Sequence, residues 1–323
     1  MINYYSINQM KKLPIIYFII PCYNEEECLP ETIKRLRAKM HTLVRNNISK
    51  KSKLVIIDDG SLDNTWGIIK NSKNDIIGIK LSKNFGHQNA LLAGMMYSKN
   101  YCDAIISLDA DLQDDINILD KFIEKFSKEH YEIVYGVRKE RKSDSFLKRN
   151  TAQFFYKIMN LLGANTIYNH ADYRLVSKRV LEELSNFKEV NLFLRGIIPS
   201  IGFKTAIIEY AREERLAGKS KYSMRKMFNF AIDGITSFSI KPIRLVFALG
   251  ALMLVVSSFI LIYAVIIKLI GKAVSGWTFT ICSIWIIGGI QMISLGIIGE
   301  YIGKSYSEVK SRPRYIIEDV KKS

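Results

Sequence analysis

Residues 109–115, DADLQDD, place five carboxyl or carboxamide side chains within seven positions, directly behind the apolar run Ala104–Leu108. Asp109 and Asp111 are one residue apart, so an extended backbone sends both side chains to the same face. Two carboxylates so placed suit a hard divalent cation such as Mg2+ or Mn2+, which takes oxygen ligands and keeps positions open for phosphate oxygens. Without a cation they repel each other. A DxD pair alone is also an ordinary surface feature, and Asp114 and Asp115 fit the start of a helix, where acids favour the dipole.

Two further polar clusters stand behind apolar runs: Asn24–Glu25–Glu26 in PCYNEEE and Asp58–Asp59–Gly60–Ser61 in DDGSLDNT. The second also fits a helix-start turn. If the runs are strands of one parallel sheet, all three clusters meet in one crevice, because ligands of open α/β sheets bind beyond the carboxyl ends of the strands. A nucleoside diphosphate is the ligand class that needs this set, with metal bridging the phosphates and acid or amide groups on ribose or base. The chain contains neither the GxxxxGK phosphate loop nor GxGxxG, which disfavours a P-loop NTPase or a dinucleotide enzyme.

The elements that must position these groups follow from periodicity. Short apolar runs alternate with longer amphipathic ones from Pro14 onward, the pattern of βα units around a mostly parallel sheet. Strands are expected at Ile15–Ile20, Leu54–Asp58, Ile76–Leu81, Ala104–Asp109 and Glu132–Val137, with helices over Glu27–Val44, Asn64–Asn71, Gly86–Lys99 and Asn117–Lys128. Ser145–Tyr210 reads as helices plus a strand at Thr205–Tyr210. Residues 211–242, basic and aromatic by turns, suit amphipathic helices at a membrane surface.

Two runs are long enough to cross roughly 30 Å of hydrocarbon: Leu245–Ile267, about 23 residues without a charge, and Gly276–Gly299, about 24. Gln291 in the second is expected to face the other helix. The apolar run Ile15–Ile20 is only six residues, too short for a signal-peptide core. Lys221, Arg225, Lys226, Lys241 and Arg244 precede the first span, and Lys304, Lys310, Arg312 and Arg314 follow the second, whereas Lys268 and Lys272 alone lie between. Positive flanks belong to the cytoplasm, so both ends are expected there. The domain plan is then 1–210 the α/β domain, 211–242 juxtamembrane, 243–302 two spans, and 303–323 a basic tail, partly mobile.

The net charge of +16 fits attraction to anionic lipid head groups and phosphate ligands, and no nucleic-acid recognition motif is present. Cys22, Cys28, Cys102 and Cys282 form no CxxC pair and read as reduced packing residues. His41 and His130 read as exposed helix-end residues; His87 and His170 lie near motifs and are candidates for acid–base work.

The ordered series PCYNEEE, VIIDDGSLDNT, KNFGHQNALLAG and LDADLQDD resembles glycosyltransferase family 2, whose catalytic domains have the GT-A fold, a Rossmann-like, mostly parallel α/β sheet. YGVRKER, ADYRLVSKRV, FLRGIIPSIGF, ERLAGKSKYSMRKM, DGITSFSIKPIRL and GIIGEYIGKSYSEVKSRPRYII resemble its polyprenyl-phosphate branch, the bactoprenol glucosyltransferase and dolichol-phosphate mannose synthase type. The resemblance runs from Pro14 to Ile317 and implies a bacterial plasma-membrane enzyme. Its donor would be a nucleotide sugar, UDP-glucose first, and its acceptor a polyprenyl phosphate; a homo-oligomer through the spans is also expected.

By that resemblance Asp109 and Asp111 hold Mg2+ or Mn2+, Gln113 joins them at the diphosphate, and Pro21, Tyr23, Glu25 and Asp59 line the nucleotide pocket. Arg138, in YGVRKER, contacts substrate; Arg215, Ser220 and Lys221 match a loop that closes over the phosphates. Asp172 and Arg174, in ADYRL where DFRL is commoner, are the catalytic pair nearest the acceptor. Asp172 is either a general base or a residue that orients Arg174 or the sugar. A phosphate monoester with a second pKa near 6 is largely ionised at neutral pH, so a strong base is not required. Lys83 stands where arginine is frequent, and DIN follows DLQD where prolines and an acid are frequent. Transfer of mannose or an aminosugar, and a silent nucleotide-sugar-binding partner, are the alternatives. A processive polysaccharide synthase is disfavoured because QxxRW and further spans are missing.

Overall fold

A computed structural model describes residues 13–111, 113–139, 170–190, 192–211, 240–270 and 276–322. The described residues group into two compact units: one takes those up to residue 211 together with 312–322, the other those from 240 to 311.

The first unit is built on one sheet. Its strands are β1 (Ile16–Cys22), β2 (Lys53–Asp58), β3 (Ile76–Leu81), β4 (Ala104–Ser107), β5 (Ile133–Arg138), β6 (His170–Ser177), β7 (Thr205–Tyr210) and β8 (Ile317–Lys321), in the order β7-β5-β6-β4-β1-β2-β3-β8. β4, β1, β2 and β3 are mutually parallel, as are β5 and β7; β6 runs antiparallel between β4 and β5, and β8 antiparallel on β3. This is the expected GT-A arrangement. β1 is buried along its whole length because it lies mid-sheet with both faces covered, which is why its sequence is continuously apolar. Ile16, Phe18 and Ile20 face a core that includes Leu29, Ile33 and Leu36 of helix α1 (Leu29–Asn46). Tyr17 and Ile19 face the opposite core, with Leu91, Leu92 and Met95 of α3 (His87–Ser98).

The other helices of this unit are α2 (Thr65–Lys70), α4 (Leu119–Ser127), α5 (Lys178–Leu184) and α6 (Leu194–Ser200), with a single 3-10 turn at Ile116–Ile118. The strands and helices expected through residue 138 are all present, with ends that agree to within two residues. Two strands were not expected. β6 carries Asp172 and Arg174, whose charges interrupt the apolar run; each neutralises the other, so the strand is buried nonetheless. β8 occupies what was expected as a mobile basic tail. Backbone pairing with β3, the Lys80–Glu318 ion pair at 3.0 Å and three acceptors for the Lys321 ammonium (Ser72 Oγ, Lys73 O and Ile76 O) hold it in place.

The second unit contains α7 (Lys241–Leu269, 29 residues) and α8 (Trp277–Val309, 33 residues). Both are long and apolar enough to cross a membrane, and their apolar windows are not covered by protein. Phe247, Phe259 and Met292 are each more than two-thirds exposed. The juxtamembrane segment expected at 211–242 falls almost wholly outside the described residues.

Candidate active site

The carboxyl ends of β1, β2, β4, β5 and β7 share one edge of the sheet, and β6 begins there because it runs the other way. Every described candidate lies at this edge.

The loops after β1 and β2 are laced together by reciprocal bonds. Asn24 N donates to Ser61 Oγ (2.9 Å) and Asn24 Oδ1 accepts from Leu62 N (2.8 Å); Glu26 N donates to Asp63 Oδ2 (3.1 Å) and Glu26 Oε2 accepts from Asn64 N (2.9 Å). Glu25 N donates to Thr65 Oγ1, and its carboxylate accepts from the Cys28 thiol at 2.9 Å. Burial and this acid push Cys28 up to about 12, so it stays a thiol and has no nucleophilic part. Pro21 is buried in β1 opposite Ile57, with Tyr23 half-buried just beyond the strand.

Asp59 is 2% exposed and receives Phe85 N (2.8 Å) and Gly86 N (2.9 Å), one on each oxygen. Burial raises its pKa, against which those two N–H groups act. It thus ties the loop after β2 to the turn opening α3. Gly60 makes the approach possible: its φ is +67°, and a Cβ there would lie 2.3 Å from the Lys83 carbonyl carbon. Gly60→Ala is expected to cost about 2 kcal/mol or more, read as a lowered thermal midpoint, and to weaken nucleotide binding by displacing the 83–86 turn.

β4 ends at Ser107, two residues before the expected end, so Asp109 and Asp111 stand in a loop instead of an extended strand. The turn is fixed by Thr32 Oγ1 of α1, which donates to Ala110 O at 2.6 Å. Ala110 is buried while Asp109 and Asp111 on either side remain half-exposed, so the two carboxylates still reach the open edge. Gln113 is buried, and its backbone N–H donates to Asp111 Oδ1 at 3.2 Å. Asp115 caps the 3-10 turn through Asn117 N, as expected of a helix-start residue. Asp114 does not: it is turned inward, 5% exposed, onto Arg138 and Tyr210.

Asp109 has its pKa raised to about 6, first by burial and then by the carboxylates of Asp114, Asp172 and Asp111, with His87 opposing. Such a surplus of negative charge is relieved by a bound cation. Among the described residues no cluster of three or more His, Cys, Asp or Glu is arranged to hold a metal. Two carboxylates with open positions nevertheless match the way Mg2+ is held by one or two acids plus substrate phosphates.

Asp172 is the hub of the other half of the site. Its carboxylate, 6% exposed, accepts from Arg174, from Arg195 Nε (3.2 Å) and Nη2 (2.9 Å), and from Gln88 Nε2 (3.4 Å), and it lies 3.5 Å from His87 Nε2. Burial alone would raise its pKa; Arg195, His87 and Arg174 instead hold it well below the usual carboxylate range. Arg174 is fully buried and donates to Leu194 O, so it touches no solvent. A carboxylate this fully engaged has little basicity to offer, which favours the orienting reading of Asp172 over the general-base one. Arg174 is its counter-ion.

Gln88, Arg195 and Tyr210 were not singled out in the sequence, although GHQN and FLRG carried two of them; His87 was, as a candidate for acid–base work. His87 Nε2 lies 3.8 Å from Asp109 Oδ1 as well as near Asp172. Burial disfavours the charged ring, yet Asp172 and Asp109 hold its pKa above the ordinary value. His41 and His130 are exposed, as expected. Arg138 closes β5, 3.9 Å from Asp109 Oδ2 and 3.1 Å from Asp114 Oδ1. Arg215, Ser220 and Lys221 lie outside the described residues. The one cavity that stands out among the described residues, lined by Pro14, Asn47, Asp103, Phe126, His130 and Tyr131, opens at the opposite edge of the sheet and has no part in this cluster.

The chain matches the family model described as glycosyl transferase family 2 over residues 17–185 and that described as the GtrB C-terminal hairpin over residues 241–305. It is 50% identical over 311 residues to YkoT of Bacillus subtilis (strain 168), an uncharacterized glycosyltransferase, covering 94% of this chain and 91% of that one. A prophage bactoprenol glucosyl transferase homolog of Escherichia coli (strain K12) is 40% identical over 315 residues, covering 95% and 99%. The bactoprenol glucosyl transferase of Shigella phage SfX is 37% identical over 311 residues, again covering 95% and 99%.

Proposed function

The chain belongs to glycosyl transferase family 2, and from that membership we propose that it moves a hexose, glucose first, from a nucleoside diphosphate sugar such as UDP-glucose to polyprenyl phosphate, inverting the anomeric carbon. Support comes from one juxtaposition: an acidic, diphosphate-ready strand edge in a chain that continues into two uncovered apolar helices. The full-length relatives named for bactoprenol glucosyl transfer point to the same acceptor.

Asp109 and Asp111 would hold Mg2+ or Mn2+, and that ion, when bound, would neutralise charge on the departing diphosphate. Arg138 adds fixed positive charge at the same end, where Arg215 and Lys221 are proposed to join it. Pro21, Tyr23, Glu25 and Asp59 would line the nucleotide pocket, with Gln113 at the diphosphate and Ser220 in the closing loop. Asp172 holds Arg195 and His87 in place beside Asp109, and the acceptor phosphate, ionised at neutral pH, attacks without a strong base.

β8 supports the sidedness. A strand does not pair through a bilayer, so β8 on β3 favours a tail on the same side as the sheet, with an even number of crossings between residues 241 and 309. Together with the basic flanks, this favours a catalytic domain and both termini in the cytosol of a bacterial plasma membrane.

Purified full-length protein incubated with undecaprenyl phosphate, Mg2+ or Mn2+ and a panel of nucleotide sugars is expected to give a lipid-linked monosaccharide with UDP-glucose. A panel including mannose and aminosugar donors in which no lipid product forms would overturn the proposal.

A further inference from the structure

Three side chains from three elements close a ring beside Asp109. Arg138 and Tyr210 are register partners at the ends of the parallel strands β5 and β7, so both project from the same point of the sheet edge. The Tyr210 hydroxyl donates to Asp114 Oδ1 and accepts from Arg138 Nε at 3.1 Å, and Arg138 Nη2 donates to the same Asp114 oxygen at 3.1 Å. Tyr210 is 3% and Asp114 5% exposed, so bulk water cannot stand in for either. The phenol is itself held edge-on by the Tyr173 ring, 5.4 Å between centroids at 87°. Among the described residues Asp114 Oδ2 has no hydrogen-bond partner, so this carboxylate directs the bonds seen here through one oxygen, into the ring.

A guanidinium gripped at Nε and Nη2 cannot rotate about its own bonds. We infer that Tyr210 and Asp114 are positioning residues, which fix the Arg138 guanidinium in one plane next to the Asp109–Asp111 pair so that it meets the diphosphate of the donor. Arg138 Nη2 stands 3.9 Å from Asp109 Oδ2, beside the acids that would hold the cation and, through it, the diphosphate. A planar fork of donors recognises phosphate oxygens by geometry as well as charge, and holding it in place beforehand saves the ordering that a free arginine side chain would undergo on binding. This inference deepens the proposed function and rests on it for the ligand, a nucleoside diphosphate.

A double-mutant cycle separates positioning from mere structural support. UDP affinity in the presence of Mn2+, by calorimetry, is measured for wild type, Tyr210→Phe, Arg138→Met and the double variant, each checked for folding by its melting curve. Arg138→Met is expected to weaken UDP binding by about tenfold or more, as loss of a charged hydrogen bond does. Tyr210→Phe is expected to weaken it by about three- to tenfold in the wild-type background and not at all in the Arg138→Met background. An equal loss in both backgrounds, or no loss on removing the hydroxyl, would overturn the positioning role. Should Tyr210→Phe fail to fold, Asp114→Asn takes its place in the cycle with the same expected coupling. A wild-type protein that binds no nucleoside diphosphate would instead sink the donor reading, and this inference with it.

Discussion

Asp109→Asn is expected to lower hexose transfer by about 10²- to 10³-fold and, in chelator-treated protein, to raise the melting temperature. The loss follows from removing one of two carboxylates that would hold the cation and, through it, the departing charge. The gain follows from linkage. The folded-state pKa of Asp109 is raised to about 6, above the ordinary carboxylate value, so the folded state binds the extra proton and stability falls as pH rises through that window. At neutral pH the whole penalty is present, and a neutral amide removes it. Discounted for the one-third of the side chain that meets solvent, the relief is about 1–2 kcal/mol. Initial rates on undecaprenyl phosphate together with a thermal scan in chelator check both halves. A variant that loses activity and melts lower would show Asp109 to be structural support.

Asp172→Asn is expected to behave in the opposite sense, losing stability by about 3–5 kcal/mol while the fraction that folds keeps a kcat within about tenfold of wild type. Arg174 is wholly buried against Asp172, so neutralising the acid leaves a cation in the interior with no counter-charge. The sign is fixed by the depressed pKa of Asp172: its contribution is present above the unfolded value near 4 and is lost only as pH falls toward the lower folded one. The asparagine variant should therefore be the less stable protein across the neutral range. A general base would instead lose about 10²- to 10⁴-fold in turnover with little change in melting. Denaturant titration and single-turnover transfer on the same preparation distinguish the two.

The site was legible in part because one half of it is local. PCYNEEE, DDGSLDNT and DADLQDD each follow an apolar run, and in a parallel sheet such runs deliver their trailing residues to one edge whatever the details. The carboxylate spacing of Asp109 and Asp111 held even though the strand ended early, since the buried Ala110 between them preserves the alternation. Asp114 shows where that logic stops. Beside Asp115 it has the sequence of a helix-start acid, and only the presence of Arg138 and Tyr210 on neighbouring strand ends turns it inward.

Of the network around Asp172, the sequence reading named Asp172, Arg174 and His87, but their contacts were not legible for the same reason. Asp172, Arg174, Gln88, His87 and Arg195 come from β6, α3 and α6, separated by up to 108 positions. Whether a buried charge stabilises or disrupts depends on the partner it meets, and the sequence does not show partners. β6 and β8 are the same case in the backbone: a strand holding an ion pair, and a short polar strand at the edge, lack the apolar signature of β1 to β5. Sequence alone therefore determined the alternating strands and helices, the acids at their ends and the two apolar helices, because each depends on residues near one another in the chain. Tertiary structure decided the insertion of β6, the return of the tail as β8 and the ionic hub at Asp172, because each is set by contacts between residues far apart in the chain.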